Sequence, residues 1–196
     1  MYKRQELWLY RALNGRTIVF SKDIAEKSTT LTYGYDVALG IASIIGKETA
    51  FGEAFHITSD ESYTWKEILE IYLDTIEKKT GMRPKVLLLD KSPHLEWIGA
   101  KWQVILDRYY NRRFDNSKIQ QYIDTSQFVR TESGLISCLE SFLCHPQFKK
   151  MGWGIQGTYD RITGEWAPFS EISIIKDCIS YLLHRTVVPP KSKLSI

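Results

Sequence analysis

The stretch densest in groups that could do chemistry is DRYYNRR, from Asp107 to Arg113, which sets three guanidiniums beside two phenols. A guanidinium fork meets a phosphate through two parallel hydrogen bonds, and both the fork and a phenol ring stack on nucleobases. The composition therefore fits a non-catalytic module that contacts anions or RNA. It equally fits a solvated edge whose arginines pair with local acids, and the two readings stand level. The other reactive side chains are dispersed. His56, His94, His145 and His184 stand singly, and His56 falls in a β-rich run, where it reads as a strand histidine. Asp60 and Glu61 adjoin in a turn-like SDES, where neighbouring acids are ordinarily solvated. No G-x-G-x-x-G dinucleotide turn, P-loop, H-E-x-x-H or G-x-S-x-G pattern is expected.

The totals limit what such groups could serve. The chain has 196 residues, with 26 basic against 23 acidic side chains and a net charge of +3, too balanced to imply nucleic acid or an anionic membrane. Apolar residues at 43% are enough for a folded core. Cys138, Cys144 and Cys178 are odd in number and lack C-x-x-C spacing, which suits reduced thiols in a cytoplasmic protein better than disulfides or a zinc site. No apolar run reaches membrane-spanning length, and the N-terminus lacks a signal-peptide core.

The elements that must position these residues read as a mixed α/β chain with few strands and several helices. ELWLYRAL (6–13) is helical and closes on Asn14-Gly15, TIVF (17–20) is a strand, and TTLTYGY (29–35) favours another. Asp36 is placed to cap a helix over 37–45 that is apolar nearly all round, so burial on more than one side is expected. Residues 51–89 form the clearest unit. A strand over 51–58 leads to a helix opened by a Thr64/Glu67 capping box and closed by Gly81, and VLLL (86–89) reads as a strand buried on both faces. Ser92-Pro93 is a start for a helix packed through Trp97, Ile98 and Trp102, Asp115 is placed to cap a short helix in SKIQQYI, and Thr131 precedes a firmer one ending before His145-Pro146. Residues 147–170 carry no assignable period, 171–183 is helical by spacing, and Pro189-Pro190 begins a tail.

Four segments in this order carry a resemblance. They are TLTYGYDVALG (30–40), GEAFHITSDESYTWKEI (52–68), FDNSKI (114–119), and SFLCHPQF (141–148) with GTYDRI beyond it. Over residues 6–166 they resemble the C-terminal, substrate-binding half of the extended short-chain dehydrogenase/reductase family, the NAD-dependent epimerases and dehydratases of nucleotide sugars. The resemblance implies part of a Rossmann-type α/β fold whose N-terminal dinucleotide-binding half is missing. It implies NAD or NADP as cofactor of the complete protein, none held by this chain alone, a nucleotide-sugar substrate, and a homodimer among the partners. Catalytic residues are expected in the other half, as a Tyr-x-x-x-Lys set, so none is assigned here. Tyr33 and Asp36 match the family's helix-opening positions near substrate, and Asp107 and Arg108 fall near its second arginine/aspartate substrate contact, with Arg108 the choice for a phosphate. Thr29 stands where many members place a pyrophosphate-binding arginine, which puts that contact in doubt. Residues 1–5 read as adapter-encoded rather than native, residues 1–169 as the substrate-binding portion, and residues 170–196 as a final helix and tail. In the isolated chain, the helices over 37–45 and 135–143 are expected to expose apolar faces meant for the missing half.

Overall fold

The computed structural model describes residues 5–94, 101–148 and 151–187. In chain order its elements are α1 (Gln5–Leu13), β1 (Ile18–Ser21), α2 (Lys22–Ala25), β2 (Ser28–Thr29), α3 (Gly34–Ile44), β3 (Tyr63–Thr64), α4 (Trp65–Thr80), β4 (Val86–Leu89), α5 (Lys101–Gln103), α6 (Thr131–Cys144), α7 (Trp153–Thr163) and α8 (Ile175–Thr186). The chain is mixed α/β, with eight helices and four short strands among the described residues. They divide between two compact units. One takes in Met1–Ala25, Met82–Tyr109 and Pro146–Ile196, the other Glu26–Gly81 and Tyr110–His145.

In the first unit α1 closes on Gly15, whose φ of 67° is cheap only without a Cβ, and the chain turns into β1. β1 pairs in parallel with β4, Ile18 opposite Val86 and Ser21 opposite Leu89. The strand expected over 51–58 is therefore not the neighbour of β4. β4 is also not buried on both faces: Val86 and Leu88 are exposed, because among the described residues only one strand flanks it and no helix covers that side. α7 and α8 cross at close range, and a Cβ added at Gly157 would lie 2.4 Å from the Tyr181 carbonyl oxygen. Trp153, Ala167, Ile172 and Tyr181 fill the core beside this crossing, with Tyr10, Cys178 and Leu182 packed around them.

In the second unit α4 is as the sequence describes it. Thr64 Oγ1 accepts from the Glu67 amide, the Glu67 carboxylate accepts from the Thr64 amide, and Gly81 ends the helix at φ 78°. Ile68, Tyr72, Leu73 and Ile76 form its buried face, and it packs on α6. The preceding run differs from expectation. Residues 53–62 are irregular, so His56 is an exposed loop residue set edge-on to Phe114, not a strand histidine. The expected strand over 29–35 shrinks to β2, which pairs antiparallel with β3 over two residues. α3 begins at Gly34 with Tyr33 at the N-cap, so Asp36 lies inside the first turn and does not cap it. Only Asp36 and Gly40 of α3 are buried, which overturns the expected burial on several sides; Tyr35, Leu39 and Ile41 face outward. SKIQQYI yields a single 3-10 turn, Ile119–Gln121. Trp97, Ile98 and the Pro189-Pro190 tail lie outside the described residues.

Candidate functional site

The expected contact residues fall into both units. Tyr33 and Asp36 act together in the second, where each ties the start of α3 to the chain entering α6. The Tyr33 ring lies against Gly134, where an added Cβ would sit 3.5 Å from Cδ2. The Asp36 carboxylate, 3% exposed, accepts the Val129 amide at 2.9 Å. A carboxylate spent on a buried amide is a clamp, and breaking it would orphan a backbone donor. Asp107 and Arg108 stand in the first unit, at the end of a π-helical turn spanning Val104–Arg108, where the Tyr109 amide reaches the Val104 carbonyl.

The rest of the Asp107–Arg113 stretch is largely committed within each unit. Tyr109 Oη donates to Asp23 Oδ2 at 2.9 Å, and burial, followed by that hydrogen bond, pushes its phenol up to about 12. Arg112 donates to Thr29 Oγ1, bonds the Ser28 carbonyl through its amide, and lies 5.9 Å over the Trp65 ring. Asn111 Oδ1 accepts the Ser28 amide. Arg112 and Asn111 thus bracket β2 from the side opposite β3.

The polar residues that assemble the second unit were not singled out by sequence. Asn116, in FDNSKI, is 4% exposed. Its Oδ1 accepts from the Thr58 amide and hydroxyl at 3.2 and 3.1 Å, and its Nδ2 donates to the Thr58 carbonyl and Asp60 Oδ1, both at 2.7 Å. Asp60 Oδ2 accepts from the Thr125 hydroxyl at 2.8 Å, and Glu61 accepts the Thr131 amide at 2.7 Å and the Arg130 guanidinium at 3.2 Å. The two acids read as solvated are pins. Thr131 Oγ1 reaches the Leu31 carbonyl and Ser59, while Thr32 Oγ1 accepts the Ser59 amide. Three of the four resemblance segments, 30–40, 52–68 and 114–119, therefore meet in one hydrogen-bond network. The cue available in the sequence was turn composition, SDES and DNS, where short polar side chains compete for backbone groups.

The first unit holds a second cluster that sequence reading missed. Arg11 and Asp160 are both fully buried and 2.5 Å apart. Arg11 also bonds the Thr17 carbonyl, Gln156 and Glu165, and Arg16 spans Asp160 and Glu171 at 3.3 Å each. Tyr181 Oη donates to Asp160 at 2.7 Å, and burial first, then that carboxylate, pushes its phenol up to about 12. Tyr10 donates to Glu171, and burial together with that acid raises its phenol as well. Burial opposes ionisation of Glu165, yet hydrogen bonds from the Thr17 hydroxyl and amide hold it below the ordinary carboxylate value. The cluster ties α1, the turn into β1, α7 and α8 together and so fastens this unit, with Arg16 Nε buried and without a hydrogen-bond partner among the described residues.

A glycine pattern of dinucleotide type does occur, contrary to expectation: Gly152-Trp-Gly154-Ile-Gln-Gly157 has G-x-G-x-x-G spacing. The structure shows that it does not fit a dinucleotide. It opens α7, a Cβ at Gly154 would meet His184 at 2.9 Å, and one at Gly157 would meet Tyr181. The second and third glycines give room to α8, where a nucleotide-binding turn would give that room to pyrophosphate. No group of three or more metal-ligating side chains forms among the described residues, and no described helix is long and apolar enough to cross a membrane.

No protein-family model matches the chain, and no curated protein matches it. Among solved structures, a UDP-glucuronic acid 4-epimerase from Bacillus cereus, in complex with UDP-glucuronic acid and NAD, is similar over 69% of this chain at 16% identity and a TM-score of 0.47. The chain spans 38% of that protein's length. A likeness this distant concerns the path of the chain alone.

Proposed function

We propose that the chain is the substrate-binding half of a nucleotide-sugar epimerase/dehydratase-like oxidoreductase of the extended short-chain dehydrogenase/reductase type. The observation that carries the reading is the Asn116 network. Segments 30–40, 52–68 and 114–119, which carry the resemblance, are far apart in sequence and are held together by the side chains that make them recognisable. In this reading Arg108, with Asp107 beside it in the first unit, takes a substrate phosphate, and within the second unit Tyr33 and Asp36 keep the start of α3 in place. NAD or NADP would serve the complete protein by supplying hydride exchange. No residue described here is assigned to holding it, and no Tyr-x-x-x-Lys pair occurs in the 196 residues. The chain alone is therefore proposed to bind and not to turn over.

The experiment is calorimetric titration with a UDP-sugar, beside an assay with NAD and the same sugar. Saturable binding, weakened by Arg108→Ala and unaccompanied by NADH or epimerised sugar, is expected. Turnover would overturn the assignment of chemistry to another half, and absence of binding would overturn the substrate reading.

A further inference from the structure

Asn14-Gly15 closes α1 with a dipeptide that rearranges readily in water. The chain holds three asparagines, and only Asn14 precedes a glycine. A side chain on the following residue shields its amide nitrogen from attack, and glycine has none. Asn14 and Gly15 are both exposed, and a Cβ built at Gly15 would meet nothing within 4 Å. The Gly15 amide donates to the Ala12 carbonyl at 3.2 Å, the long end of the hydrogen-bond range. The other two asparagines are better guarded. Asn116 is 4% exposed with both its side-chain oxygen and nitrogen bonded, and Asn111 accepts the Ser28 amide and precedes the bulky Arg112.

We propose that Asn14 is a site of spontaneous covalent modification, at which the asparagine becomes isoaspartate and α1 is unfastened from β1. The Gly15 nitrogen attacks Cγ of Asn14. A bond forms between them, the Cγ–Nδ2 bond breaks, and ammonia leaves with the amide proton. Water then opens the succinimide ring. Cleavage between Cγ and the nitrogen gives aspartate, and cleavage at the Asn14 carbonyl carbon gives isoaspartate, whose backbone runs through Cβ and Cγ. In balance, water is consumed and ammonia released. Asn14 Nδ2 donates to the Tyr10 carbonyl at 2.8 Å, a donor lost in either product. The new carboxylate faces that carbonyl at the negative end of the helix dipole. Isoaspartate also lengthens the backbone by a carbon, inside a turn closed by the Arg16 amide on the Arg11 carbonyl at 2.8 Å. Arg11 Nε bonds the Thr17 carbonyl across the same turn at 2.7 Å, and from it Arg16 reaches Asp160 and Glu171. The added carbon displaces Arg16 and Thr17 from these partners, so a change at the surface reaches the buried ionic cluster.

Ageing the full chain in mildly alkaline buffer, then digesting it at acidic pH where ring closure stops, tests this. Mass spectrometry is expected to show the amide-to-acid gain at Asn14 with Asn111 and Asn116 unchanged. Stepwise sequencing is expected to halt at position 14, as it does at isoaspartate. The urea midpoint of the aged wild type, read by Trp153 fluorescence, is expected to fall. Asn14→Gln, whose longer side chain closes a ring far more slowly, is expected to keep its midpoint through the same ageing. Fresh Asn14→Asp, which has the charge without the added carbon, is expected to fall less than the aged wild type. Retention of the Asn14 amide, equal conversion at Asn111 or Asn116, aspartate as the sole product, or conversion with an unchanged midpoint would overturn the proposal.

Discussion

Asp160→Asn isolates the energy of the buried ionic cluster. The change keeps the side chain's shape and an acceptor for Tyr181, but removes the charge shared by Arg11 and Arg16. Arg11 is fully buried, so water cannot compensate it. At about 4 Å between charge centres and an effective dielectric of about 20, the lost attraction is about 4 kcal/mol, within the 3–5 kcal/mol that breaking a buried pair from one side usually costs. Glu165 remains on Arg11 and Glu171 on Arg16, which argues for the lower part of that range, about 3 kcal/mol. Urea denaturation followed by the fluorescence of Trp153, in the adjoining core, reads the change as a lower midpoint at unchanged slope. Replacing both partners, as Arg11→Met with Asp160→Leu, should restore part of the loss, because it removes the buried guanidinium that Asp160→Asn strands, while Arg16 keeps Glu171 and Glu165 keeps the Thr17 donors. A loss below about 1 kcal/mol for Asp160→Asn would refute the view that this cluster fastens the unit.

Asp36→Ala should cost about 2 kcal/mol by orphaning the buried Val129 amide, and amide exchange at Val129 should accelerate. Gly157→Ala should destabilise by about 2 kcal/mol or more, since α7 and α8 must part to admit a Cβ that would lie 2.4 Å from a carbonyl oxygen; a thermal melt measures it. Alkaline stability should fall early. Tyr181 and Tyr109 titrate near 12 when folded and near 10 when unfolded, so their contribution is whole below pH 10 and drains away as pH rises towards 12. Denaturation midpoints from pH 8 to 11 should be flat and then decline, and Tyr181→Phe should flatten the decline.

α4 was legible because its signals are local: a capping box, an apolar stripe and a terminal glycine all lie within the helix or one residue beyond it. Residues 51–58 misled because β-rich composition says nothing of where backbone bonds go. Gly52 turns at φ 73°, and the side chain of Asn116 takes both the amide and the carbonyl of Thr58 that a neighbouring strand would have used. α7 stayed hidden for the opposite reason. Gln156 to Asp160 are all buried, so the helix is enclosed on every side there, mostly by way of polar and small residues, and hydropathy has no period to show. Arg11 and Arg16 carried no local cue either, since the buried acid they share, Asp160, lies about 150 residues away. Of the four expected contact residues, the structure gives Asp36 an unexpected occupation as a clamp, and the short polar residues around Asn116 do the assembling that the sequence credited to strands.

The ion pair between Arg11 and Asp160 also bears on how the chain comes off the ribosome. Its partners are separated by 149 positions, and Tyr10 waits 161 for Glu171. At 5–20 residues per second, α1 emerges on the order of 10 s before the carboxylate that neutralises Arg11. In that interval Glu26–Gly81 is already complete and free to gather locally, whereas the first unit cannot close until its last piece is made. Vectorial synthesis therefore imposes an order on folding, leaving α1 with Arg11 solvated and within reach of chaperones until Asp160 arrives.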